Sequence, residues 1–416
     1  MAEHSVLHGE SAGDTIWLVG TRGIGVAVAL LAVAVWLGAT TVALVAGLFV
    51  ALAVVARGWS RLALGGLRCR VEFRDDRAFP DDELDLVLTI ENRGLAPVPW
   101  LEAELTVPHH LYPLEGQVGR AVASDHRVIE VLATLLPFRR LTWRHRLRCR
   151  TRGLYEVPTV SILVGDPLRL FPRRKAFVVN ARLIVYPRIV PLDQLGLRSG
   201  LPQGELALRT IPVEDPTRVI GVREYRPGDP PRRIHWKTSA RLPTLQVKLL
   251  ERTAQLQLGL YLGVDGFDYP QVVYREALFE RAVGAAASLA SWAVEHGGRV
   301  GLGLSGAAPI VLPASGGSDH LRQILEVLAV VTPRRGRPLE SVLAASLPRQ
   351  PAGATIVALV AGLPVELADA LRGARNRGHP VTVLYAGLEP IAPPTGVRLY
   401  ELGREEDLAR VLTAEP

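Results

Sequence analysis

Three hydrophobic periodicities follow one another along the chain. The first is an unbroken apolar run, Gly23 to Ala56, with no charged residue in 34 positions. As one helix it would be roughly 51 Å long, against a hydrocarbon core of about 30 Å. Two shorter helices turning near Gly38-Ala39-Thr40-Thr41 fit a bilayer better, with a single long tilted helix as the alternative. The run is too long for a secretory leader and lacks a small-residue cleavage site. The second pattern, over 60–200, alternates apolar and polar positions in short segments: "CRVEFRD", "LDLVLTIENRG", "WLEAELTV", "HRVIEVLATL", "LTWRHRLRCR" and "TVSILVG". Turn residues at Pro80-Asp81-Asp82 and Asn92-Arg93-Gly94 punctuate it, so it predicts a small antiparallel sandwich. The third, from 253 on, sets fully apolar strands ("LQLGLYLGV", "RVGLGL", "TIVALVA", "PVTVLYA") between helical stretches at 274–298, 318–330, 364–377 and 404–413. That alternation predicts a mostly parallel sheet covered on both faces.

Between the second and third patterns lies "VREYRPGDPPRRIHWKTSARLPTLQVK", residues 222–248, dense in residues that can do chemistry. Pro227-Gly228 suits the centre of a type II turn, where the glycine takes positive φ. Asp229 before two prolines reads as the N-cap of a helix over 230–240. "TLQVKLL" then alternates as a strand. Glu224, Arg226 and Lys237 are expected to cluster around the turn, with Trp236 packed beneath. As a catalytic centre the stretch offers His235 as base and Asp229 as its orienting carboxylate, with Lys237 nearby. The competing reading is a capped, ion-paired turn bracing the link between two domains. The cap would occupy Asp229, and neither Ser nor Cys stands where a nucleophile is needed. That second reading is preferred.

Charge refines this picture. The net charge is +7, which raises nucleic-acid binding. Yet all but three of the 48 basic residues are Arg, the exceptions being Lys175, Lys237 and Lys248, and they are dispersed. No zinc-finger spacing or RNA-binding aromatic motif accompanies them, so no nucleic-acid partner is expected. Arg22 precedes the apolar run while Arg57, Arg61, Arg68 and Arg70 follow it. A hairpin puts both flanks on one side, and the positive-inside tendency makes that side the cytoplasm. Cys69 and Cys149 share an "LRCR" context that suggests neighbouring strands. In a reducing cytoplasm they are two free, largely buried thiols; a disulfide would require the opposite orientation. His109-His110, adjacent on a β segment, would point to opposite faces and make a poor metal site. No P-loop occurs.

The stretch "REYRPGDPPRRIHWKTSAR", followed by "LQVKLLE", resembles the signature of the bacterial domain of unknown function 58 family. Its signature positions here are Arg223, Glu224, Tyr225, Arg226, Pro227, Gly228, Asp229, Arg232, Arg233, His235, Trp236, Lys237, Ala240 and Arg241. "RGLYEVPTVSILVGDPLRLFPRR" and "LIVYPRIVPL" extend the likeness, which spans 22 to about 270. The resemblance implies a C-terminal α/β domain similar to a von Willebrand factor A domain, of Rossmann type. Such domains hold Mg²⁺ through Asp-x-Ser-x-Ser after the first strand plus hydroxyl and carboxylate groups from later loops. Here Asp265-Gly266-Phe267-Asp268-Tyr269 keeps the first Asp and loses both serines. Asp265 and Asp268 are therefore positions of a degenerate site, and no cofactor or stable metal is expected. The resemblance also implies a non-enzymatic adaptor at the bacterial inner membrane, its soluble domains in the cytoplasm. It would work beside a MoxR-type AAA+ ATPase and a transglutaminase-like membrane protein. The expected organisation is a tail (1–21), a transmembrane helical hairpin (22–57), an immunoglobulin-like β-sandwich (60–200), a linking signature (201–252) and the A-like domain (253–416). The alternative is an enzyme that joins His235, Asp229 and Lys237 to Asp265.

Overall fold

The computed structural model describes residues 12–114, 118–120, 126–191, 197–199, 210–267, 272–389 and 391–402. The chain divides into two compact units, Met1–Tyr186 and Pro187–Pro416. The boundary thus falls before the 200/201 limit set by composition.

The first unit begins with α1 (Ala12–Trp36) and α2 (Thr40–Gly65), joined through Leu37-Gly38-Ala39. The turn is where the sequence places it, but both helices outrun the apolar segment: α1 starts upstream of Arg22, and α2 continues past Arg57 and Arg61. Their packing inverts the usual order. Small Ala27, Ala34, Ala46 and Ala53 are buried, while Val26, Val33, Val35, Leu44, Leu48 and Val54 face outward. α2 then enters a sandwich. Ala63 belongs to its core, with Trp59 and Leu64 packed against it, and the Trp59 indole donates to the Pro97 carbonyl at 3.0 Å.

That sandwich comprises β1 (Leu67–Phe73), β2 (Arg77–Ala78), β3 (Glu83–Asn92), β4 (Val98–Pro108), β5 (Leu111–Pro113), β6 (Val118–Arg120), β7 (His126–Leu135), β8 (Arg140–Cys149), β9 (Gly153–Val164) and β10 (Arg173–Val185). One sheet runs β1-β3-β8-β5, the other β2-β10-β9-β4-β7-β6. Alternation decides the faces: Leu84, Leu86, Leu88 and Ile90 of β3 point inward, as do Ala103, Leu105 and Val107 of β4. The pairing is antiparallel except for β2 with β10. Cys69 and Cys149 are free thiols. They do not lie on neighbouring strands, because β3 runs between β1 and β8. His109 and His110 sit in the turn after β4, not on a strand, with ring centroids 3.6 Å apart.

The second unit contains β11 (Leu197–Ser199), β12 (Thr210–Glu224), a one-turn α3 (Trp236–Ser239), β13 (Gln246–Leu262), α4 (Val272–Glu295), β14 (Arg299–Leu304), β15 (Ile310–Ser315), α5 (Ser318–Val330), α6 (Leu339–Ser346), β16 (Thr355–Val360), α7 (Val365–Asn376), β17 (Val381–Tyr385) and β18 (Arg398–Leu402). Its sheet runs β11-β18-β17-β16-β13-β14-β15. β18 to β14 are parallel, and β15 and β11 are antiparallel edges. Counting from β13, the order is 3-2-1-4-5-6, that of a doubly wound α/β sheet. β16 and β17 are buried along their whole length, as strands covered on both faces must be. α6 and α7 seal one face through Leu339, Leu343, Leu367 and Leu371.

Two expectations fail here. "TLQVKLL" and "LQLGLYLGV" are not separate strands on either side of a domain limit at 252/253; both belong to β13. Residues 201–252 are not a linker either. β12 pairs antiparallel with the first half of β13 from Glu224↔Gln246 to Thr210↔Leu256, so the signature is the tip of a two-stranded ribbon inside the second unit. The helix expected near 404–413 lies outside the described residues.

Candidate functional site

The ribbon tip, 225–245, starts from the expected turn. The Asp229 N–H donates to the Arg226 carbonyl at 3.0 Å, and Gly228 has φ +106°, a conformation that a Cβ would oppose. Asp229, however, caps no helix. Its carboxylate takes both terminal nitrogens of Arg223, at 2.7 and 2.6 Å, and the Arg226 backbone N–H at 2.9 Å. These bonds, the Arg223 pair foremost, lower its pKa from 3.8 to about 2; the same pair raises that of Arg223. No helix fills 230–240. Pro231 holds Pro230 in the extended region, at ψ 128°; Pro231–Arg233 makes one 3-10 turn, and the extended Ile234 bridges Val247. α3 is a single turn.

The cap of that turn is His235. Its Nδ1 accepts the Thr238 backbone N–H at 3.2 Å and faces the Thr238 hydroxyl at 2.7 Å. A backbone N–H only donates, so Nδ1 carries the lone pair and Nε2 the proton. The basic nitrogen of the neutral ring is thereby engaged by Thr238. Its main chain is also tied down: its N–H donates to the Gln246 carbonyl at 2.8 Å, and Ser239 Oγ donates to its carbonyl at 3.1 Å. Glu224 accepts from Thr244 at 3.4 Å and does not cluster with Arg226 and Lys237. Trp236 is not packed beneath the turn; 67 % of it is exposed. Leu242, Leu245, Arg226, Arg232, Lys237, Ala240 and Arg241 are exposed beside it, while Arg233 is half-buried.

The second candidate lies past the carboxyl end of β13, at the switch point between β13 and β16 where open α/β sheets bind ligands. Ser305, just beyond β14, donates its hydroxyl to the Asp265 carboxylate. Ser305 was not singled out from sequence, although a polar residue closing a buried strand was the available signal. Gly266 lies against Ala361 and Gly362 at the end of β16, neither of which carries a side-chain oxygen. Among the described residues no three His, Cys, Asp or Glu side chains converge; Asp268 lies outside them. Asp265 and Ser305 are the side chains that this place brings together among the described residues. His235 and Asp265 bracket opposite ends of β13, a strand of 17 residues, about 50 Å if fully extended. The structure does not bring them together.

Residues 221–387 match the family described as "Protein of unknown function DUF58". This segment is a DUF58 family domain. It runs from the ribbon tip through β17, so the likeness extends beyond residue 270, where the sequence motifs stop carrying it. A relative, the uncharacterized protein YeaD of Bacillus subtilis (strain 168), is 24 % identical over 307 residues, 73 % of this chain and 72 % of that protein. Solved structures with some likeness include a non-cellulosomal cohesin from the archaeon Archaeoglobus fulgidus (13 % identity, 28 % of this chain and 91 % of that one, TM-score 0.21). Another is the CARDB domain of a Pyrococcus furiosus protein (13 %, 29 % and 94 %, TM-score 0.17). At these scores neither carries a functional argument.

Proposed function

We propose that the chain is a membrane-anchored, non-enzymatic adaptor whose DUF58 domain docks a protein partner through the ribbon tip. The observation that carries the reading is the exposed Trp236 on a tip whose polar groups are already bonded to one another. Trp and Arg dominate the energetics of protein interfaces, and a rigid support lowers the entropy lost on docking. Arg226, Arg232, Lys237 and Arg241 give the tip a cationic rim suited to an acidic partner surface. The inside-out packing of α1 and α2, alanines inward and branched residues outward, supports a bilayer as their solvent. By length and composition α2 (Thr40–Gly65) meets the requirement for a span, and the apolar part of α1, Gly23–Trp36, is shorter. The cytoplasmic inner-membrane placement follows from the flanking arginines.

The strand order, with its antiparallel third strand, favours a von Willebrand A-like reading of the α/β unit. The Asp265–Ser305 contact suits a degenerate version that docks without a metal. The family resemblance makes a MoxR-type AAA+ ATPase the first partner to test, with a transglutaminase-like membrane protein beside it. A photo-crosslinking residue at position 236, in the full-length chain co-expressed with such an ATPase, should yield an adduct that Arg232→Glu/Arg241→Glu abolishes. A reporter fused after Pro416 should be active only in the cytoplasm. An exported carboxyl terminus, or adducts unchanged by the charge reversal, would overturn the reading. The alternative, an enzyme using His235, Asp229 and Lys237 near Asp265, is disfavoured by the separation along β13 and by the engaged Nδ1.

A further inference from the structure

In the first unit a cationic cluster without a carboxylate partner among the described residues stands beyond the end of an apolar groove. The groove runs between the helices, lined by Gly23, Ala27 and Leu30 of α1 and by Val45, Ala46 and Phe49 of α2. Along α2, Ala46, Phe49, Ala53 and Arg57 recur on one face, so the groove leads toward Arg57, about 12 Å beyond Phe49. Where it ends, Ala53 and Ala56 pack with Phe171, and Ile24 and Leu170 close around them. Phe171 comes from the loop between β9 and β10. The Arg57 guanidinium lies 5.9 Å from its ring centroid.

Two residues on, the half-buried Arg173 completes the group. Burial first, and then repulsion by the charges of Arg61 and Arg57, lower its pKa. Elsewhere in the sandwich, arginines meet carboxylates: Arg93 and Arg140 at Glu91, Arg148 at Glu83, Arg174 at Glu104. Among the described residues, Arg57, Arg61 and Arg173 join no ion pair. Three guanidinium groups beside an apolar wall favour an anion near them, and a phosphodiester suits their fork geometry.

The loop that carries Phe171 and leads into Arg173 is built to stay in place. Asp166, fully buried, accepts the backbone N–H groups of Leu168, Leu170 and Phe171 at 3.0, 3.2 and 2.7 Å. The Trp100 indole donates to the Asp166 carbonyl at 2.9 Å. Leu168 is left 54 % exposed at the tip, and the Arg169 guanidinium lies 4.8 Å from the Trp100 ring. Exposed apolar groups rimmed by arginine at the end of an uncharged helical run match the headgroup boundary of a bilayer.

We propose that Arg57, Arg61 and Arg173 bind the phosphodiester of an anionic phospholipid whose acyl chain occupies the groove between α1 and α2. The inference rests on the membrane reading above and deepens it. Free phosphate could meet the same cations, but it leaves the adjoining groove without an occupant.

The test uses the full-length chain in nanodiscs of mixed phosphatidylcholine and phosphatidylglycerol, with retained lipid counted by native mass spectrometry after transfer to detergent. The wild type should retain phosphatidylglycerol over phosphatidylcholine by about tenfold or more, the scale expected of three arginines at a lipid surface. Arg57→Gln/Arg61→Gln/Arg173→Gln should lose that preference. The charge-matched Arg93→Gln/Arg140→Gln/Arg148→Gln should keep it, as should Arg57→Lys/Arg61→Lys/Arg173→Lys, which also guards against a merely misfolded variant. An unchanged preference in the glutamine triple, or displacement of the retained lipid by inorganic phosphate, would overturn the inference alone. Release of the wild type from membranes by alkaline carbonate would instead overturn the membrane reading beneath it.

Discussion

Arg223 and Asp229 meet through two parallel bonds, Nη1 to Oδ2 at 2.7 Å and Nη2 to Oδ1 at 2.6 Å. The carboxylate also holds the Arg226 N–H, so a single side chain closes both the turn and the ribbon end. Because its folded pKa is depressed to about 2 from 3.8, the contribution is complete above about pH 4 and disappears as pH falls through 2. Denaturant unfolding of wild type and Asp229→Asn should therefore differ at pH 7 and converge near pH 2. A gap that persists at low pH would show that Asp229 acts by shape rather than charge.

Asp166 accepts three backbone N–H groups from a fully buried position. Asp166→Ala leaves those donors without a partner and should cost on the order of 3 kcal/mol in urea unfolding. Gly165→Ala tests the same loop from the other side. Its Cβ would stand 2.3 Å from Trp100 Cζ2, on a ring pinned by its own hydrogen bond, and should cost roughly 1–3 kcal/mol.

The Cys69 and Cys149 thiols are both pushed up to about 12 by burial, Cys149 also by the Asp82 carboxylate. Thiolate is the reactive form. The native protein at pH 8 should resist iodoacetamide at both positions, and two equivalents should react once it is denatured. Rapid labelling of the folded chain would contradict this burial.

Tyr261, buried in the middle of the parallel sheet, bonds Ser346 Oγ at 2.8 Å and accepts from Gln350 Nε2 at 3.1 Å. Tyr261→Phe keeps the packing and deprives Gln350 of a partner, so a loss of roughly 1–3 kcal/mol is expected. Tyr261→Phe/Gln350→Leu should recover part of it, since removing both partners avoids an unsatisfied group. No recovery would mean the bond matters little.

At the end of β13, calorimetric titration with Mg²⁺ should give no saturable heat at micromolar concentrations, and Asp265→Ala should leave the profile unchanged. Stoichiometric binding abolished by that substitution would restore a metal to this site.

How far the pattern of residues carried the reading depends on the range of the forces involved. The alternation of "LDLVLTIENRG" and "WLEAELTV" and the continuous strands "RVGLGL" and "TIVALVA" announced β3, β4, β14 and β16 within a residue or two of their bounds, while the apolar run announced α2 but not its extension to Gly65. Burial of one or both faces is a local demand that each segment must write into itself. Pro227-Gly228 announced its turn for the same reason, since a positive φ at the third position is a local steric requirement.

What tertiary structure alone decided was every pairing across distance. From sequence, Asp229 before two prolines read as a helix cap; in the fold Arg223, brought opposite by the ribbon, competes for the carboxylate and takes it. His235, weighed as a base but set below the bracing role, has its Nδ1 bonded by Thr238 and its backbone N–H by Gln246. Trp236 read as core because nothing in the chain tells which side of a short tip faces solvent. Ser305 meets Asp265, and Arg173 comes within reach of Arg57 and Arg61, only because strands and helices far apart in sequence end at the same place. Composition determined that an apolar hairpin, a sandwich and an α/β sheet would form; long-range packing determined which polar groups they bring face to face.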